Sequence, residues 1–331
     1  MILLDTIESA RRELLTLQDP SGGWAYRRGA PPCSEPTALA GLALLAASAR
    51  SDDPAARRGA DWLATIQRTD GSLGVSAAVP EPGWATPLAL LLWKAANVHG
   101  DRRASAERWL LARKGRALSR TEDPNHIAGH DVSLVGWPWV LDTHSWLEPT
   151  ATAILALGRV GRGNHPRVVE GLSLIRDRAV DSGGWNYGNK AVFGRPLRAQ
   201  PGPTGLALLS LATTEPRSPV IDRAIGYLHA TLPTVRAPAS LGWGLFGLRA
   251  WNALPADAEV WLAAALSAVA GRADAAPRLA LLLLAAEERA LDLFGRAVTG
   301  SGAISNVDKG YRTPFGIRGN GGGHLFETGA S

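Results

Sequence analysis

Stretches of almost unbroken Ala, Leu, Ile and Gly alternate along this chain with stretches that carry charge on one face. Thr37 to Ala47, Thr150 to Leu157 and Thr204 to Leu211 are of the first kind. A helix that is apolar on every side belongs inside a protein. Ala55 to Gln67 and Val168 to Arg178 are of the second kind, and their spacing predicts helices with one wetted face. A proline opens each apolar stretch, as in Glu35-Pro36-Thr37-Ala38-Leu39, Glu148-Pro149-Thr150-Ala151-Thr152 and Gly202-Pro203-Thr204-Gly205-Leu206. Its missing N–H is no loss in a first turn, so each proline marks a helix start. Pro36, Pro87, Pro149, Pro203 and Pro255 are separated by 51, 62, 54 and 52 residues, long enough for two helices and their loops.

Buried and amphipathic helices alternating at this period predict an all-α fold, an (α/α) toroid of about five to six helix pairs with inner and outer rings. The pattern gives eleven helices, an odd number, and the last apolar run falls in a helix from about Pro277 to Ala297. Domain 1–298 is therefore expected to be the toroid. The tail 299–331, with Gly319-Asn320-Gly321-Gly322-Gly323, follows it, and the ring is left open or closed by that tail.

The turns between outer and inner helices carry a signature. Gln18-Asp19-Pro20-Ser21-Gly22-Gly23-Trp24 fits Gln-x-x-x-Gly-x-Trp, and Gln67 to Leu73 fits all but the tryptophan, with weaker echoes at Gly136-Trp137, Gly183-Gly184-Trp185 and Gly242-Trp243. Over residues 10 to 270 the chain thereby resembles the squalene-hopene and oxidosqualene cyclases and the wider terpene cyclase and prenyltransferase superfamily. In those toroids the Gln and Trp tie successive repeats together. The resemblance implies an apolar central cavity for an isoprenoid. It also implies an acid at the start of an inner helix, supplied in the cyclases by an Asp-x-Asp-Asp-Thr-Ala motif. No Asp-x-Asp-Asp occurs here. The Glu-Pro-Thr-Ala strings align with the motif's last four positions, so Glu35 or Glu148 takes the place of the acid.

Composition narrows the choices. The net charge of +5 comes mostly from scattered arginines, which argues against a nucleic-acid stripe and leaves peripheral contact with anionic lipid open. A single cysteine, Cys33, rules out a disulfide framework or a multi-thiolate zinc site and fits a reducing cytoplasm. The start, Met1 to Leu17, reads as an amphipathic helix rather than a signal peptide. The longest apolar run, Leu279 to Ala286, is too short to span a bilayer.

Candidate chemistry concentrates between Lys114 and Glu148, the longest of the connections. If Leu141 to Glu148 is extended, Asp142, His144, Trp146 and Glu148 point the same way. Glu148 is then the catalytic acid, assisted by Asp142 and His144. Glu35, Trp137, Trp139, Trp146, Trp185, Tyr187 and Trp243 form the substrate walls, where ring faces stabilise a carbocation. The bland alternatives are that the glutamates complement helix N-termini and that the tryptophans pack turns. His126 and His130 have metal spacing only if helical, and Gly129 intervenes; no metal site is expected. The zinc ligands of protein prenyltransferases are not recognisable, and Asp52-Asp53 reads as a helix cap. The expected activity is that of a terpene cyclase-like isomerase or lyase without a cofactor, magnesium entering only with a diphosphate substrate. The alternatives are a non-catalytic isoprenoid-binding or scaffold toroid and a protein prenyltransferase-like subunit.

Overall fold

The computed structural model describes residues 2–48, 52–119, 129–214 and 216–295, and helix dominates them. The helices are α1 (Ile2–Thr16), α2 (Ser34–Ala47), α3 (Pro54–Ile66), α4 (Ala85–Ala95), α5 (Gly100–Ala112), α6 (Leu147–Arg159), α7 (Pro166–Asp177), α8 (Pro201–Leu211), α9 (Pro219–Thr231), α10 (Pro238–Ala250), α11 (Ala258–Val269), α12 (Ala275–Ala286) and the short α13 (Ala290–Leu293). Between α7 and α8 lies one small hairpin, β1 (Ala191–Val192) and β2 (Arg195–Pro196), antiparallel with Ala191 opposite Pro196.

The even-numbered helices form the inner ring: α2, α4, α6, α8, α10 and α12 each pack on the next, and α12 packs back on α2. Their composition dictates the position, since in α2 every residue from Pro36 to Ala46 is buried. Between α8 and α10 the backbones touch. A Cβ added at Gly205 would lie 2.0 Å from the Trp243 carbonyl oxygen, and one at Gly247 would lie 2.3 Å from that of Gly205. The odd-numbered helices α1 to α11 form the outer layer. In α11 only Ala258, Leu262, Leu266 and Val269 are buried, the single stripe of a helix with one face to water.

Three expectations change. Six pairs close the ring: α1, expected as a helix, lies against both α11 and α12, and the twelfth helix is α10, inside which lies Gly242-Trp243, expected as a turn. The run Leu279 to Ala286 belongs to α12, which ends at Ala286 and is the sixth inner helix rather than part of a long terminal one. Pro36, Pro87, Pro149 and Pro203 each lie two residues past the first residue of an inner helix. Pro255, by contrast, lies in the loop before an outer helix, and the fifth inner helix opens at Pro238. The tail 299–331 lies outside the described residues.

The turn signature works through hydrogen bonds. Gln18 Nε2 donates to the carbonyls of Gly22 at 2.7 Å and Ala55 at 2.9 Å, and Gln67 Nε2 does the same to Gly71 and Arg102, both at 2.9 Å. Each glutamine thus joins its own turn to the next outer helix. The intervening glycine has left-handed backbone, φ 103° at Gly22 and 94° at Gly71, and a Cβ there would meet the next outer helix 2.6 Å from the Arg58 carbonyl oxygen or 2.3 Å from that of Ser105. Only glycine satisfies both conditions. The tryptophan indoles tie backwards: Trp24 donates to the Leu14 carbonyl at 2.8 Å, Trp137 to that of Leu110 at 2.9 Å and Trp185 to that of Ile175 at 2.7 Å.

Candidate active site

Connections from an outer to an inner helix are long at 17–33, 67–84, 113–146 and 178–200, whereas those returning outward are short. One rim of the ring, at the N-terminal ends of the inner helices, therefore carries the elaborated loops, and both glutamates lie on it.

A threonine fixes the register of that rim. Its hydroxyl receives the backbone N–H of the turn residue thirteen positions earlier: Trp24 to Thr37 at 2.8 Å, Leu73 to Thr86 at 2.9 Å and Trp137 to Thr150 at 2.9 Å. In the fourth repeat the partners are Trp185 and Thr204, nineteen apart, at 2.9 Å. Two residues before each threonine stand Glu35, Trp84, Glu148 and Gly202. Trp84 therefore occupies on α4 the position that the two glutamates occupy on α2 and α6. Sequence reading aligned the repeats by proline and missed this, because α4 reverses the order to Thr86-Pro87. The thirteen-residue interval from turn to threonine was the available signal.

The backbone reinforces the equivalence. Ser34 N donates to the Val75 carbonyl and Leu147 N to that of Tyr187, at 2.8 and 2.9 Å. In both cases the residue just before the glutamate is tied to the loop of the next repeat. Around Glu35, the Tyr26 hydroxyl donates to Oε2 at 2.5 Å and the Trp84 indole donates to the same oxygen at 3.2 Å. Burial and the Glu35 charge together push the Tyr26 phenol well above its usual range. Trp84 meets Trp139 edge to face, with centroids 5.2 Å apart.

Glu148 is mostly buried. First burial and then the negative charge of Glu35 raise its pKa to about 7. Both causes disfavour a second carboxylate, so Glu148 is a carboxylic acid poised to hold or give a proton near neutrality.

The other expected residues are placed as follows. Asp142 has left-handed backbone, φ 61°, which breaks the alternation on which its alignment with Glu148 relied; its side chain is exposed. His144 is also exposed and faces a different pocket, with Arg116 and Arg178. Trp137 and Trp185 are buried in their turns, and Arg167 stacks on Trp137 at 4.5 Å while donating to the carbonyls of Arg113, Val135 and Gly136. Trp137 also borders a narrow cavity, about 10 Å³, with Trp84, Trp139 and Pro149, room for roughly one water. Trp146 packs beside Gly188, Tyr187 is 47% exposed, and Trp243 stacks on Phe246 within α10 at 6.3 Å. His126 lies outside the described residues. Among those described, no group of three His, Cys, Asp or Glu is placed to hold a metal, and no helix is long and apolar enough to cross a membrane.

No family model and no curated protein matches the chain by sequence. Solved structures do. The type II terpene cyclase MstE from Scytonema superposes with a TM-score of 0.53 at 18% identity, over 81% of this chain and 78% of that one. A variant of it in complex with its substrate, geranylgeranyl dihydroxybenzoate, gives 0.62 at 15% identity, over 88% and 98%. A protein from Actinoplanes gives 0.57 at 15% identity, over 89% and 100%. These likenesses establish a terpene cyclase-like toroid.

Proposed function

We propose that this protein is a terpene cyclase-like enzyme in which Glu148 donates a proton to an isoprenoid bound at the inner-helix rim. The carrying observation is the pair of glutamates at equivalent helix starts, where burial first and then the charge of Glu35 hold Glu148 near neutrality as an acid. Support from the fold is that MstE has been captured with an isoprenoid substrate and with its product, merosterolic acid A. Glu148 transfers its proton to an epoxide oxygen or a terminal alkene carbon, the C–O or π bond there breaks as the electrons of an internal alkene form the ring C–C bond, and the final cation loses a proton to solvent or to the ionised carboxylate. Trp84 and Trp139 present ring surface that stabilises positive charge. An acid of this strength suits an oxygen acceptor, such as an epoxide, better than an isolated alkene. The reading calls on no cofactor.

A second reading, a toroid that binds an isoprenoid without turnover, is favoured by the lack of an Asp-x-Asp-Asp in the sequence. Incubation with farnesyl-, geranylgeranyl- and squalene-type compounds and their epoxides, read by mass spectrometry, separates the two. Cyclised product that falls about 100-fold or more in Glu148→Gln at nearly unchanged affinity carries the enzyme reading. Saturable binding with no product carries the other.

A further inference from the structure

We propose that the rim bearing the two glutamates docks on an anionic lipid bilayer, with the β1–β2 hairpin as the element that enters it. The turn of that hairpin is Phe193-Gly194, with φ 50° and 71°, the paired left-handed residues of a two-residue type I′ turn. Asparagine or aspartate suits the first of these positions, whereas a bulky side chain is strained there. The Phe193 side chain is nonetheless 87% exposed, and every residue from Val192 to Pro196 is exposed with it. Phe193 therefore draws little stability from the fold. The base of the hairpin is held firmly: Leu197 N donates to the Lys190 carbonyl at 2.8 Å and Asn186 Nδ2 to that of Arg198 at 2.6 Å. A Cβ at Gly188 would lie 3.2 Å from the Trp146 ring.

Two further observations favour a lipid surface as the partner. The exposed large apolar side chains among the described residues gather on this rim: Val79, Val140, Tyr187 and Val192 accompany Phe193 there, and the others, Leu4, Leu15, Val169 and Val260, lie on outer helices. The three connections that carry them are joined, Gly83 bridging to Val140 and Leu147 N donating to the Tyr187 carbonyl at 2.9 Å. Apolar groups spread over three loops do not form the packed centre that a folded partner requires, whereas a fluid bilayer admits each one separately. The charge has the matching sign. No Asp or Glu occurs from 182 to 214, a stretch that holds Lys190, Arg195 and Arg198. Lys190 stands 3.8 Å from the exposed Asp181, and Arg195 and Arg198 are exposed with no partner among the described residues. Connections 17–33 and 67–84 offset each other in charge, and 113–146 balances Arg113, Lys114, Arg116 and Arg120 against Glu122, Asp123, Asp131 and Asp142. The positive charge of the rim is thus that of the hairpin connection, and anionic headgroups attract such a cluster at short range.

Co-sedimentation of the full chain with phosphatidylcholine vesicles containing about one third phosphatidylglycerol tests the docking. Saturable binding is expected, at least about tenfold weaker on pure phosphatidylcholine and weakened by added salt. Phe193→Ser and Arg195→Glu should each reduce affinity about tenfold, with unchanged melting temperatures because both positions are exposed. Phe193→Trp should bind as wild type does, since an indole suits the bilayer interface. On the outer wall, Arg108→Glu of α5 and Val260→Ser of α11 make comparable changes at exposed positions and should also bind as wild type. No vesicle binding at millimolar lipid, wild-type binding by Phe193→Ser or Arg195→Glu, or equal losses in the two outer-wall variants overturns the proposal. Glu148→Gln should leave vesicle binding unchanged, so the docking surface stands or falls apart from the acid chemistry.

Discussion

The indole of Trp84 donates to Glu35 Oε2 over 3.2 Å, and the Tyr26 hydroxyl reaches the same oxygen. Glu35 is thus fixed in place on α2, and its charge acts on Glu148 of α6, with the equivalent position on the intervening α4 filled by Trp84. Removing that charge relieves one of the two causes of the raised Glu148 pKa. Glu35→Gln should therefore move the Glu148 titration to lower pH, and any activity that needs the protonated acid should fade at lower pH than in wild type. Titration of the labelled carboxyl by NMR checks this; an unmoved midpoint refutes the coupling.

The same shift has a stability consequence. A carboxyl whose folded-state pKa is raised contributes stability that is fully present below its ordinary pKa and is lost as pH rises through about 7. Wild type should therefore lose up to about 3 kcal/mol relative to Glu148→Gln between about pH 4 and pH 8. Urea melts of both proteins at the two pH values read the difference, and parallel curves would count against the burial of Glu148.

Thr150→Val keeps the shape of the side chain but removes the acceptor for Trp137 N in a buried turn. A loss of about 1–3 kcal/mol is expected. Trp24→Ala, which empties a fully buried site, should cost about 3–5 kcal/mol. Denaturation midpoints rank the two; a neutral Thr150→Val would remove threonine from the account of the repeat.

Glycines on two helices should respond in opposite directions. Gly205→Ala places a methyl group 2.0 Å from the Trp243 carbonyl oxygen and should destabilise by about 1–3 kcal/mol or more. Gly226, exposed in the middle of α9 with nothing within 4 Å of an added Cβ, should become more stable as alanine, by up to about 1 kcal/mol. Thermal melts of the two variants suffice.

Alternation of buried and one-sided helices was legible because burial leaves a direct mark on composition, and Gln18, Gly22 and Trp24 announced their turn by chemistry that few other residues supply. Closure of the ring was not legible. It joins α1 to helices at the far end of the chain, and α12 looked like an ending because its opening, Ala276-Pro277-Arg278, lacks the Pro-Thr-Ala string. At the candidate site Glu148 stood out through its loop, but its coupling to Glu35 exists only once the inner helices are arranged in a ring. Asp142 was misread because one left-handed residue turns the chain, and nothing in its neighbours signals that turn.

Closure through α1 also sets an order of events during synthesis. The buried side of α1, with Ala10 and Leu14, leaves the ribosome ahead of the other ring helices, and α11 and α12 emerge roughly 250 residues after it, on the order of tens of seconds at usual elongation rates. Throughout that interval a sticky helix waits without its mate. Chaperone demand and premature self-association in the nascent chain should therefore centre on residues 2–16, and a circular permutant that places this helix directly after α12 should fold with less of both.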